Sequence, residues 1–158
     1  MSFSRAIHGK VSAEELADRL AIRELLDAYA HCADRRDVES QVSLFTADAE
    51  ILLLDREDGM PTKMARGWEA LRPVFEDLRA FEVTTHFNGQ NTVDLGRGMA
   101  SGVLHCLAHL VKTDGSGRTL TTVCVRYLDR FAKIDGQWFF KQRRAVQDWT
   151  DTRPLLSG

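Results

Sequence analysis

The sequence predicts an α+β fold: three N-terminal helices capping a curved, antiparallel or mixed sheet, the whole forming a cone around an internal pocket. Three observations carry this. Apolar residues recur at helical spacing through the first half of the chain, whereas the second half reads as long Thr- and Val-rich strands. Two strong hairpin signals, Asp114-Gly115-Ser116-Gly117 and Asp135-Gly136, punctuate those strands. Helices first and hairpins last argue against an alternating βαβ sheet.

In chain order, Ser12-Ala13-Glu14-Glu15 reads as a capping box. Behind it Leu16, Leu20, Ile22, Leu25, Leu26, Tyr29, Ala30 and Ala33 keep helical spacing, which predicts a first helix over 13–34. Asp37 can cap a short second helix carrying Val38, Val42, Leu44 and Phe45. Residues 49–54 are strand-like, and 56–61 form a polar, turn-rich loop. A third helix is expected over 67–79, with Pro73 kinking it or moving its start later. Strands follow over 81–95, 99–112, 119–132 and 137–147. Residues 1–158 are read as a single domain with a core over about 12–148; 1–11 and 149–158 are expected to be arms, the second an arm or disordered.

The 158 residues suffice for one buried core. A formal net charge of −2 and scattered basic residues give no reason to expect nucleic acid or an acidic membrane as partner. No apolar run approaches the ~20 residues that span a bilayer. The first ten residues lack the apolar centre of a signal peptide. Three cysteines (Cys32, Cys106, Cys124), with no C-x-x-C, read as free thiols in a reducing cytoplasm.

A sheet covered by helices buries one face, which should be apolar. Yet the strands carry His86, Asn88, His105, His109 and Arg143 among large apolar residues. Each such group buried dry and unpaired costs roughly 1–3 kcal/mol. Some therefore face solvent and the rest line a concave site for a small hydrophobic molecule. His105 and His109 share a strand face about 13 Å apart, too far to hold one ion. No other residues have ligand spacing, so no metal is expected, and no motif calls for a cofactor. Tyr29 is either a core tyrosine or a site donor. Asp34 is either a helix-end surface charge or the partner of a buried imidazole that offsets its clash with the helix dipole. Arg143 and Arg144 alternate, so either one faces in, where it needs a carboxylate or a substrate oxygen, or both are edge or rim charges.

At this point the chain resembles the SnoaL-like family of the nuclear transport factor 2/ketosteroid isomerase superfamily, in the branch of bile-acid 7α-dehydratase, scytalone dehydratase and lindane dehydrochlorinase. The resembling residues are Ala21-Ile22-Arg23-Glu24-Leu25-Leu26-Asp27-Ala28-Tyr29, Ala33-Asp34, Leu44-Phe45-Thr46-Ala47-Asp48-Ala49, Thr85-His86-Phe87 and Asp135-Gly136-Gln137-Trp138 leading to Arg143-Arg144. The resemblance implies a catalytic pair, Asp34 at the end of helix one and His86 on the strand after helix three, assisted by Tyr29 and Arg143. It implies His109 as a substrate-binding residue; Asn88, from the polar strand residues, is expected to bind substrate too. It also implies a dehydratase, or alternatively an isomerase, a polyketide-cyclase-like enzyme or a non-catalytic binding module, and a homo-oligomer, trimer or dimer. The tyrosine five residues before Asp34 matches the bile-acid enzymes; the dehydrochlorinase has lysine there.

Overall fold

The computed structural model describes residues 10–115 and 117–155. The expectations for the N-terminal arm up to residue 9, for Ser116 in the first hairpin turn and for 156–158 lie outside the described residues. Helix α1 (Ala13–Arg35) is capped by Ser12, whose hydroxyl accepts the Glu15 amide at 3.1 Å. It ends in a Schellman motif: Asp37 N–H donates to the Cys32 carbonyl and Arg36 N–H to that of Ala33. Arg36 holds the left-handed position (φ 61) that glycine usually takes. Its guanidinium turns back to donate to the Ala33 and Asp34 carbonyls at 2.9 and 3.1 Å, satisfying oxygens that the helix end leaves open. Asp37 then caps α2 (Val38–Ser43) by accepting the Ser40 amide.

Strand β1 (Phe45–Leu54) begins four residues earlier than expected, so Phe45 belongs to the sheet and not to the second helix. The short strand β2 (Lys63–Arg66), unexpected from sequence, pairs antiparallel with β1. Helix α3 (Trp68–Glu76) starts before Pro73 and tolerates it in its interior, then tightens into a 3₁₀ turn over Asp77–Ala80. Strands β3 (Val83–Leu95), β4 (Met99–Asp114), β5 (Gly117–Ile134) and β6 (Gln137–Pro154) form the antiparallel body. The tail after Asp148 is a correction. Six more residues continue β6, because Thr119 to Cys124 of the long β5 pair with Trp149 to Pro154. Sheet order is β2-β1-β6-β5-β4-β3, mixed because β1 and β6 run parallel. The Asp135-Gly136 turn has positive φ at both residues (49 and 82), as a two-residue type I′ hairpin requires.

The helices cover one face of the sheet. Ile22, Leu25 and Leu26 of α1, Val38 and Val42 of α2 and Leu71 and Phe75 of α3 meet Phe45, Ile51, Leu104, Val125, Phe131 and Phe140. Burying each large side chain contributes roughly 1.5–3 kcal/mol. Polar stitches fix α1 against the sheet. Trp138 donates its indole N–H to Asp18 at 2.9 Å, and Lys133 pairs with the same carboxylate. Arg19 and Arg23 reach the carbonyls of Val93 and Gly89. No helix among the described residues is long and apolar enough to cross a membrane.

Gly102 on β4 permits the tight junction of β3 with the core: a Cβ there would lie 2.9 Å from the Thr92 carbonyl oxygen and 3.3 Å from the Phe131 ring. Gly102→Ala is expected to destabilise the fold by roughly 1–3 kcal/mol, the usual cost of overpacking. Urea unfolding followed by circular dichroism measures it; an unchanged midpoint would show that β3 moves aside freely.

Candidate active site

The end of α1 meets the middle of β3 through a single carboxylate. Asp34 Oδ2 accepts the backbone N–H of His86 at 2.9 Å, and Oδ1 lies 2.6 Å from Nδ1 of the same residue's ring. The Thr84 hydroxyl donates to Oδ1 at 3.0 Å. The imidazole is 8% exposed and the Asp34 side chain 26%. Burial pushes the Asp34 carboxyl up, but the hydrogen bonds from the His86 ring and amide and from Thr84 outweigh it, holding Asp34 below the usual carboxylate range. An ionised Asp34 accepts only, so Nδ1 carries the ring proton and the lone pair sits on Nε2. Asp34 is thus no surface charge: the strand amide and the ring offset its unfavourable place at a helix C-terminus.

A second polar cluster lies on the same inner sheet face. Arg143 is 1% exposed and donates from Nε and Nη2 to the two oxygens of Asp129, each at 2.8 Å. Its guanidinium lies 4.1 Å from the Tyr29 ring centroid, 4.0 Å from Tyr127 and 4.3 Å from Phe140. Burial disfavours this charge, but the Asp129 carboxylate outweighs it and keeps Arg143 protonated. Nη1 is buried with no hydrogen-bond partner. Tyr29 stands edge-on to Phe45, Phe75, Tyr127 and Phe140, with centroids 5.7–6.0 Å apart. Burial pushes its phenol up, with Arg143 opposing, so the hydroxyl stays a donor. Cys106 on β4 lies within reach of both clusters: burial pushes its thiol up to about 11, with Arg143 opposing and Asp34 adding. Tyr29, Leu53, Val74, Val123 and Ala145 pack against the core and are only partly buried.

Strand parity sorts the remaining candidates. His86 stands opposite Ala108, so His109, next in line, projects to the outer face, opposite Thr85 and Thr122. Its Nδ1 lies 3.1 Å from the Thr122 hydroxyl, away from the dyad; the expected substrate-binding role is corrected. Asn88 does face inward, but its amide nitrogen donates to the Leu26 carbonyl and to Asp27, at 3.2 and 3.0 Å. Both its N–H groups are spent on holding α1, so its role is structural as well. Arg144 points outward and donates to the Glu57 carbonyl. Asp129, Thr84 and Arg36 escaped the sequence reading. Alternation of Val125, Tyr127, Asp129 and Phe131 was the available signal for the first. Among the described residues, no group of three or more His, Cys, Asp or Glu is placed to hold a metal ion.

Removing Asp129 would strand a buried cation. Asp129→Ala is expected to cost roughly 3–5 kcal/mol in urea unfolding, the scale for breaking a buried pair. The Asp129→Ala/Arg143→Met double variant should recover part of that loss, and no recovery would show that the pair is not the source.

Comparison with known proteins shows the family and matches the fold. The SnoaL-like domain family model matches residues 14–144. No curated protein matches the chain in sequence. Among solved structures, a proposed scytalone dehydratase from Novosphingobium aromaticivorans is similar at 23% identity and TM-score 0.79, covering 93% of this chain and 95% of its own. A Mycobacterium tuberculosis protein described as of unknown function is similar at 25% identity and TM-score 0.72, covering 85% and 74%. A hexachlorocyclohexane dehydrochlorinase from Novosphingobium barchaimii is similar at 16% identity and TM-score 0.75, covering 92% and 98%. The helical cover, the mixed curved sheet and a family match over most of the length make this chain a member of the SnoaL-like domain family.

Proposed function

We propose that the protein is a lyase-like enzyme that removes a proton from a small hydrophobic cyclic, steroid-like or polyketide-like molecule and eliminates water from it. One observation carries the reading: both oxygens of Asp34 hold His86, ring and amide, with the imidazole nearly shut off from solvent. Family membership and neighbours named as a dehydratase and a dehydrochlorinase support it.

In this mechanism His86 Nε2 takes a proton from a carbon next to an activating group, and Asp34 stabilises the imidazolium that forms. The buried Tyr29 hydroxyl donates to a carbonyl oxygen or to the departing hydroxyl. Arg143 offers its unpartnered Nη1 to the negative charge that develops, in a site where low polarity strengthens the contact. The C–H electron pair becomes the double bond, the C–O bond breaks, and the leaving hydroxide departs as water by taking back from the His86 imidazolium the proton removed from carbon. The partly buried Tyr29, Leu53, Val74, Val123 and Ala145 would orient the substrate and exclude bulk water.

His86→Ala and Asp34→Ala are each expected to lower turnover by orders of magnitude with the fold retained by circular dichroism. Tyr29→Phe should cost roughly 10²–10⁴-fold at most. Hydroxylated cyclic ketones and steroids are the substrates to screen by mass spectrometry. A product lighter by one water supports elimination, whereas a product of unchanged mass points to isomerisation. Wild-type rates in His86→Ala would refute the dyad, and bound but unconverted ligand would make the protein a binding module.

We also infer a homo-oligomer formed through the outer sheet face. Phe87, Leu107, Cys124 and Trp149 lie in register across β3, β4, β5 and β6, with Phe87 67% and Trp149 51% exposed. A second copy covers that apolar row. Sedimentation is expected to show a dimer or trimer that the Phe87→Glu/Trp149→Glu variant dissociates; a monomeric wild type sinks the inference.

A further inference from the structure

We propose that Arg36, acting through the Thr84 hydroxyl, is a positioning residue that keeps Asp34 ionised and aimed at His86. The inference rests on the dyad reading and extends it outward by two residues. Arg36 Nη1 donates to Thr84 Oγ1 at 2.6 Å, and Thr84 Oγ1 donates to Asp34 Oδ1 at 3.0 Å. A hydroxyl has one hydrogen. With its oxygen taken by a guanidinium, that hydrogen has one direction left, toward the carboxylate. The cation also polarises the hydroxyl and strengthens the bond it makes.

The geometry of Arg36 is specific to this task. Its backbone occupies the left-handed region, where an arginine is strained and a glycine is not. In that conformation one side chain reaches four acceptors: the Ala33 and Asp34 carbonyls, Thr84 and, through Nη2, the Phe81 carbonyl at 3.3 Å. It thereby ties the end of α1 to the start of β3, the two segments that supply Asp34 and His86. Thr84 is 5% exposed, so no solvent competes for its hydroxyl. Oδ1 receives Thr84 and the His86 ring, and Oδ2 receives the His86 amide, so the carboxylate has a donor on each oxygen and no freedom to turn. The other groups acting on Asp34 are few. Arg35 beside it on α1 is exposed, and the Cys106 thiol faces it from β4, kept neutral chiefly by burial.

The test is the titration of the Asp34 carboxyl carbon, followed by ¹³C NMR on the full chain. Thr84→Val keeps shape and removes the donor to the charged form. Its Asp34 midpoint is expected to rise by about half a pH unit or more, and Thr84→Ser is expected to restore the wild-type value. Arg36→Gly, which suits the left-handed backbone and so guards against misfolding, is expected to raise the midpoint in the same direction. His86→Ala separates the two readings. A midpoint that rises in His86→Ala but stays at the wild-type value in Thr84→Val and Arg36→Gly overturns the relay and spares the dyad. A midpoint unmoved in His86→Ala overturns the dyad itself, and this inference with it.

Discussion

A guanidinium that never meets water must find its counter-charge inside the protein, and much of this interior is arranged around that demand. Arg143 and Asp129 face each other on neighbouring strands, joined by two parallel hydrogen bonds and walled by Tyr29, Tyr127 and Phe140. The aromatic wall supplies ring faces that suit a cation while excluding solvent. The same exclusion makes a missing partner expensive, which is why the unsatisfied Nη1 stands out. An interior built only for stability has little use for such a group, since well-packed apolar side chains serve at least as well.

Most of the architecture was legible in the sequence, because it rests on local signals: the Ser12 cap, helical spacing up to Ala33, the Asp37 cap and the Asp135-Gly136 turn. What was not legible depends on pairing. Counting outward from the turn, strict alternation from the inward Phe140 would send Gln142 and Arg144 inside. A bulge between Arg130 and Phe131 of β5 and the matching residues of β6 adds one residue, and parity flips so that Arg143 enters opposite Asp129. Nothing in the run Phe139-Phe140-Lys141-Gln142 announces that bulge. His109 failed for the converse reason: a histidine between apolar neighbours looks inward until the pairing of His86 with Ala108 sets the parity of β4. The continuation of β6 to Pro154 was hidden too, because its polar sequence has strand character only beside the equally long β5.

The candidate site was legible to a different degree. Asp34 and His86 were found through resemblance, and neither helix spacing nor strand alternation alone brings them together, fifty-two residues apart. Thr84 and Arg36 carry no sequence signature at all. An arginine in the left-handed position of a helix end looks like any charged residue in a turn, and its role emerges only once the helix end and β3 are seen side by side.

Asp34 grips its partner twice, by the ring and by the main chain of one residue. If α1 slides or tilts a little against the sheet, strand and acid travel with each other and the orientation of the imidazole survives. The proposed proton-transfer pair is therefore held by contacts of its own, within one acid and one residue. On the proposed function, apolar side chains around it can be exchanged for larger or smaller ones while the imidazole keeps its aim. Such a separation would let one scaffold change the molecule it accepts without rebuilding the pair.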